Sequence, residues 1–378
     1  MTLGFSLQTP RRVVFGRGAR DSLPAEVRAL GARVLLVRGG SARWAETLCA
    51  SLDDLGAEVS VLHGAGEPDL PLLEQRLREA RAFAPDVVVG LGGGAVIDLA
   101  KALAALVPGQ GAVLDHLEGV GDGKPLSAAP LPFVAVPTTA GTGAEATKNA
   151  VIGVPDAARK VSLRDARMLA DLALVDPALT DECPRGVTLA SGLDAVTQVI
   201  EPYLSCKANA LTDLLCRDAI PRGLRALRAL MQEEDAGARD DMALCSLYGG
   251  IALANAGLGA VHGFAGVIGG RTGAAHGAIC GRLLVPVLRA NHAAGAVPLR
   301  MAEVQGWIAQ AFGCTPDAAF DSLERWIDAA GLPRLAEMGQ GLGNPSQVVA
   351  EARGASSMKG NPVTLSDAAL HGVLDAAN

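Results

Sequence analysis

The sequence predicts an α/β domain built on a parallel sheet, followed by an all-helical domain, and three observations lead there. Short continuous apolar runs alternate with helical periodicity as far as Asp181. Beyond Asp176-Pro177-Ala178-Leu179-Thr180 the strand-like runs stop and long amphipathic or apolar helical stretches take over. The 378 residues also exceed the length of one ordinary domain, about 100 to 200 residues. The expected division is therefore 1–181 and 182–378, with no low-complexity linker and the two halves packed around a shared cleft.

Taken in order, residues 33–37 and 86–90 are unbroken apolar runs of the kind found in strands buried on both faces. Residues 58–62 form a shorter β-like run between helical stretches near 44–56 and 69–83. Residues 131–136 and 172–175 supply two further strands, and strands alternating with helices imply βαβ units. In the second half the helical stretches are 186–204, 208–231, 239–256, 299–312 and 316–330.

Composition narrows the function. Hydrophobic residues make up 49% and charged residues 19%, which excludes a disordered tail or a coiled coil. A net charge of −7 and a pI near 5.4 leave no electrostatic footprint for nucleic acid or an anionic membrane. The seven cysteines contain no CxxC pair, so they read as small buried residues in a reducing compartment. With no apolar leader and no run approaching 18 apolar residues, the expected location is the cytoplasm, without a membrane. The outlier is glycine, with 46 residues against a usual share of roughly 7%.

Three places carry chemistry. Gly92-Gly93-Gly94 follows an apolar run and opens a helix, so bare N–H groups and a helix N-terminus suit a phosphate; the same residues also serve as a tight strand-to-helix turn. The segment 137–147 places Thr138, Thr139, Thr142 and Thr147 at the end of another strand, as a ligand wall or a capped turn. Asp194 and Gln198 lie four apart in a helical stretch, and His262 and His276 sit among eleven glycines between Gly249 and Gly281. A carboxylate with two imidazoles is a common divalent-metal set, although a buried histidine is also an ordinary core residue.

Together these residues resemble the iron-containing, or group III, alcohol dehydrogenases. The likeness runs through Arg12-Val13-Val14-Phe15-Gly16-Arg17-Gly18, Gly92 to Lys101, Pro137 to Glu145, Asp176 to Thr180, Ser191-Gly192-Leu193-Asp194-Ala195, Leu258 to His262 and His276-Gly277. It implies a Rossmann-like N-terminal domain, a helical C-terminal domain of the dehydroquinate synthase-like fold, and hydride exchange between a small alcohol and its aldehyde or ketone. It further implies NAD(H) or NADP(H), one Fe2+ or Zn2+ ion, and a homodimer or larger homo-oligomer. By resemblance Gly92, Gly93, Gly94 and Asp98 line the pyrophosphate and nicotinamide ribose, with Thr138, Thr139, Thr142 and Lys160 beside them and Gly39 and Ser41 near the adenosine. Asp194, His262 and His276 match metal ligands.

Two departures from the family stand out. Gln198 replaces the usual second ligand histidine, and its amide oxygen is a weaker, harder donor than an imidazole. Gly266 stands where many members carry a histidine near the nicotinamide. After 33–37 comes Arg38-Gly39-Gly40-Ser41 with no carboxylate, so Arg38 could face a 2′-phosphate and NADPH is expected alongside NADH. Lys148 and Lys359, two of only six lysines, suggest an acidic substrate. The rival readings are a metal-independent enzyme like maleylacetate reductase, a lyase like 3-dehydroquinate synthase, and a catalytically silent nucleotide-binding protein.

Overall fold

The computed structural model describes residues 4–40, 42–64 and 66–378. Its strands are β1 (Val13–Phe15), β2 (Arg33–Gly39), β3 (Glu58–Gly64), β4 (Val87–Gly92), β5 (Phe133–Pro137), β6 (Asn149–Val154), β7 (Arg159–Arg164) and β8 (Leu172–Val175). Its helices are α1 (Leu23–Leu30), α2 (Ala45–Asp54), α3 (Leu70–Phe83), α4 (Gly94–Leu106), α5 (Arg185–Leu204), α6 (Ala210–Leu230), α7 (Ala236–Ala256), α8 (Ala260–Thr272), α9 (His276–Ala293), α10 (Pro298–Phe312), α11 (Ala319–Ala330), α12 (Pro345–Gly354) and α13 (Asp367–Ala377).

One compact unit comprises Gln8–Thr139 with Gly143–Asp181. Six strands form a parallel sheet in the order β1-β8-β5-β4-β2-β3, and β6 and β7 pair as an antiparallel hairpin. The continuous apolar runs have a direct cause. Along β2, Leu35 and Val37 face one core with α3 and α4, while Val34 and Leu36 face another with α1 and α2. Both faces of the strand are therefore apolar, as the sequence shows.

Chain order reverses between β2 and β4: β3 lies outward from β2 on one side, and β5 outward from β4 on the other. Ligands of open parallel sheets bind beyond the carboxyl ends of strands at such a switch. Gly39 ends β2 and Gly92 ends β4 at this place.

The other unit contains Glu182–Asn378 and the short stretch Ala140–Thr142, so the threonine-rich loop is divided between the units after Thr139. Its core is built around α5, which is buried from Gly192 to Leu204 and packs against α6, α7 and α9. Two of its helices, α8 and α9, cross the glycine-rich stretch in which the sequence showed no helical pattern. They hold because their surroundings bury them; His262, Phe264 and Ile279 are all inside.

Candidate metal centre and nucleotide cradle

The helical unit gathers four chemically active side chains. Asp194 projects from α5; His262 lies in the first turn of α8; His276 opens α9, and Cys280 follows it one turn later on the same face. Their ligand atoms all lie within 4.8 Å of one another.

Close packing of backbones makes this possible. A Cβ at Gly277 would stand 2.4 Å from the Ala190 carbonyl oxygen and 3.2 Å from the Asp194 Cβ. Only glycine lets α9 begin against α5 so tightly, which sets His276 beside Asp194.

His262 is oriented from behind by Glu201, two turns beyond Asp194 on α5. Glu201 accepts from the His262 imidazole Nδ1 at 2.6 Å and from the Val261 backbone N–H at 2.7 Å. The second bond caps α8, whose cap residue Gly259 has no side chain to do so, and Asn361 accepts from Ala260 N–H at 3.1 Å. With a proton held on Nδ1, Nε2 is the ring atom directed at Asp194, and it can ligate a metal once it gives up its own proton.

There Nε2 and the Asp194 Oδ1 stand 3.3 Å apart, both buried and neither with a hydrogen-bond partner. With Nε2 unprotonated the two atoms face each other as acceptors without a donor, a costly arrangement in a buried site that either a proton on Nε2 or a metal cation relieves. His276 Nε2 lies 3.9 Å from the same oxygen and 3.5 Å from the Cys280 sulfur. The residues fit a divalent metal ion.

Protonation follows the same logic. Burial pushes the His276 imidazole down, but the sulfur of Cys280 and the Asp194 carboxylate override it, and it is raised to about 9. His262 is likewise raised well above its ordinary value against its burial. Asp194, which burial would raise, is held low by the two histidines. Protons thus gather where the cluster needs positive charge.

Gln198 is buried one turn after Asp194, and its amide nitrogen donates to the Thr142 carbonyl at 2.7 Å. Gly266 lies one turn beyond His262, and a Cβ there would meet nothing within 4 Å.

In the α/β unit, Gly93 caps α4 without a side chain. A Cβ on Gly92 would strike Val96 at 2.7 Å, and one on Gly93 would come to 3.3 Å from the Thr139 hydroxyl. Gly39 and Gly64 pack on the same Val96 side chain, so three strand ends converge on the first turn of α4. Bare N–H groups at this helix start are of the kind that suits an anion.

The remaining expected cofactor residues have the following partners. Thr138 donates its N–H to the Gly92 carbonyl at 2.9 Å, and Asp98 accepts from Val151 N–H at 3.0 Å. Lys160 pairs with Glu67, and Arg38 pairs with Glu46 while donating to the Ala42 carbonyl at 3.0 Å. Ser41 lies outside the described residues. Of the substrate candidates, Lys148 is half-buried and bonded to Gln8, and Lys359 is exposed in the turn before Asn361.

Sequence reasoning missed three residues. As a single cysteine Cys280 reads as an ordinary small buried residue, yet its spacing of four from His276 is a helical-face signal. Glu201, seven after Asp194, shares that face of α5 in the same way. Lys101 is wholly buried and donates to Ala144 O, Thr147 Oγ1 and Asn149 O at 2.6, 2.8 and 2.9 Å, clamping the loop after β5 to α4.

A parallel sheet with a helix start free of side-chain caps at its switch point, in a chain that also buries a metal-competent carboxylate–imidazole cluster, is consistent with a metal-dependent, nucleotide-linked oxidoreductase. Comparison with known proteins agrees. Residues 10–177 match the family described as iron-containing alcohol dehydrogenase, and residues 188–378 match the C-terminal part of that family. Long-chain-alcohol dehydrogenase 1 of Geobacillus thermodenitrificans is 35% identical over 340 residues, 85% of each chain. The NAD-dependent methanol dehydrogenase of Bacillus methanolicus is 32% identical over 349 residues, covering 87% of this chain and 88% of the relative. The crystal structure of a 1,3-propanediol oxidoreductase superposes with a TM-score of 0.87 at 26% identity, over 99% of this chain and 100% of the other.

The chain belongs to the iron-containing alcohol dehydrogenase family. It is a metal-dependent enzyme that interconverts alcohols with their carbonyl forms, and the family's cofactor is NAD(H).

Proposed function

We propose that Asp194, His262 and His276 hold the divalent ion, Fe2+ or Zn2+, and that Gly92, Gly93, Gly94 and the N-terminus of α4 hold the cofactor pyrophosphate. Gly39, Asp98, Thr138, Thr139, Thr142 and Lys160 complete the cofactor wall. One observation carries this reading: two buried polar atoms without a hydrogen bond, Asp194 Oδ1 and His262 Nε2, 3.3 Å apart beside a second imidazole.

When bound, the ion supplies a Lewis acid for the substrate oxygen and the nicotinamide supplies or takes the hydride. The protein's own contribution is positional. Glu201 fixes the His262 tautomer, Gly277 brings α9 onto α5, and Asp194 acts as a ligand and not as a base. Gly266 offers no ionisable group, so the proton that accompanies hydride transfer leaves by another route than an imidazole at that position.

NADPH serves alongside NADH in this reading, with NADH the better cofactor because Glu46 already neutralises Arg38. The substrate bears an anionic group met by Lys148 or Lys359. The enzyme works in the cytoplasm as a homodimer or larger homo-oligomer. No single helix among the described residues is long and apolar enough to cross a membrane.

Elemental analysis, chelation and kcat/KM for NADH and NADPH across neutral and acidic aldehydes test these points together. A stoichiometric ion whose removal abolishes turnover supports the ligand assignment. Full activity in chelator-treated, metal-free protein would overturn it in favour of a metal-independent reductase.

A further inference from the structure

We propose that Cys280 is the fourth metal ligand of this enzyme, as a thiolate, and that Gln198 stands outside the coordination shell. The inference rests on the metal assignment proposed above and deepens it.

The first argument is placement. Cys280 is buried on α9, one turn after His276 on the same helical face, and its sulfur belongs to the cluster whose ligand atoms lie within 4.8 Å of one another. The second is the pair of orphaned atoms aimed into that cluster, Asp194 Oδ1 and His262 Nε2. The third is edge length. Tetrahedral zinc with ordinary Zn–O, Zn–N and Zn–S bonds separates an oxygen from a nitrogen ligand by about 3.3 Å and a nitrogen from a sulfur ligand by about 3.6 Å. Here Asp194 Oδ1 and His262 Nε2 are 3.3 Å apart and His276 Nε2 and Cys280 Sγ are 3.5 Å apart, while the second oxygen-to-nitrogen edge, Asp194 Oδ1 to His276 Nε2, is longer at 3.9 Å and would close by a small shift of His276.

Gln198 is engaged elsewhere. Its amide nitrogen donates to the Thr142 carbonyl, leaving a neutral oxygen as the only donor it could offer. A thiolate brings a full charge and a strong, soft bond instead. Such a set, two imidazoles with a carboxylate and a thiolate, selects Zn2+ and Co2+ over harder ions of the same charge.

Cobalt substitution tests this. The full chain is stripped with a chelator, reloaded with Co2+ and read by absorption spectroscopy, with affinity measured by competition against a chromophoric chelator. A near-ultraviolet thiolate-to-cobalt charge-transfer band is expected in the parent, in Gln198→Ala and in Cys206→Ser, which alters an exposed cysteine. The band is expected to vanish in Cys280→Ser, with affinity falling at least about a hundredfold, the upper end of the loss from removing an outer-shell partner. Near-ultraviolet circular dichroism of metal-free Cys280→Ser checks folding, and the spectra of the parent and Gln198→Ala decide the matter even if that variant does not fold. Cobalt bound tightly by the parent without a thiolate band would overturn the proposal and leave the metal assignment standing. Loss of binding in Gln198→Ala but not in Cys280→Ser would overturn it in favour of the amide. Failure of the parent to bind Co2+ or Zn2+ would overturn both readings.

Discussion

Replacing Glu201 by glutamine changes almost no volume and tests whether the metal centre is organised from behind. The carboxylate accepts from the His262 Nδ1 at 2.6 Å and from the Val261 N–H at 2.7 Å, and it is buried. In Glu201→Gln the amide oxygen can satisfy only one of these donors. If it keeps the Val261 N–H and the α8 cap, the amide N–H faces Nδ1 and draws its lone pair. The imidazole proton then moves to Nε2, the atom directed at Asp194 Oδ1, and a protonated Nε2 cannot bind a metal. Losing such an outer-shell partner costs about 10- to 100-fold in metal affinity, which is about 1.4 to 2.7 kcal/mol. The helix cap survives, so the metal-free protein should melt close to the parent. Competition titration of stripped protein against a chromophoric chelator measures the affinity. A Glu201→Gln protein that holds Zn2+ within about threefold of the parent would refute the reasoning, because Nε2 would then be available without the carboxylate.

Metal stabilisation should depend on pH. His276, raised to about 9 in the metal-free protein against an ordinary value of 6.5, adds stability that is complete below 6.5 and lost as pH climbs through 9. Metal binding needs the neutral ring, so the rise in Tm on adding Zn2+ should widen steadily from pH 6.5 to 9; a constant difference would contradict the assignment. Glu46→Gln should free Arg38 and raise the NADPH-to-NADH ratio of kcat/KM severalfold, whereas an unchanged ratio would remove Arg38 from the adenosine ribose. Lys101→Met removes the buried donor to Ala144 O, Thr147 Oγ1 and Asn149 O; the Thr147 hydroxyl can still donate to one of the two carbonyls, so the change should cost roughly 3 kcal/mol in denaturant unfolding, partly offset by no longer burying a charge. A loss under about 1 kcal/mol would show that the loop after β5 is held by other contacts.

Much of the fold was legible because burial is written into residue order. Strands β2 and β4 are coated on both faces by two cores, so they read as unbroken apolar runs. The β6–β7 hairpin carries no such signal because Arg159, Lys160 and Arg164 break the apolar pattern of β7, and β1 carries none because it is three residues at a sheet edge. Helices α8 and α9 were hidden by their glycines, which lower helix propensity in any local window. What holds these helices is tertiary: Glu201 and Asn361 cap α8 from distant parts of the chain.

The site divides the same way. Asp194, His262 and His276 are legible as residue types, since few other side chains bind metals and the family motifs surround them. Glu201 and Cys280 are not, because a carboxylate in a long helix looks like surface charge and a single cysteine looks like core. Their function exists only relative to a partner on another helix.

Glycine shows why composition alone could not distinguish these cases. At Gly277 the missing Cβ is a steric necessity, because the Ala190 carbonyl occupies that space and any side chain would push His276 away from Asp194. At Gly266 nothing lies within 4 Å of where a Cβ would be, so packing does not explain the residue. The two belong to the same glycine-rich stretch and contribute equally to the compositional excess, yet one builds the metal centre and the other removes a side chain from the helix face next to it. Close packing against the backbone therefore requires glycine at 277 and does not require it at 266.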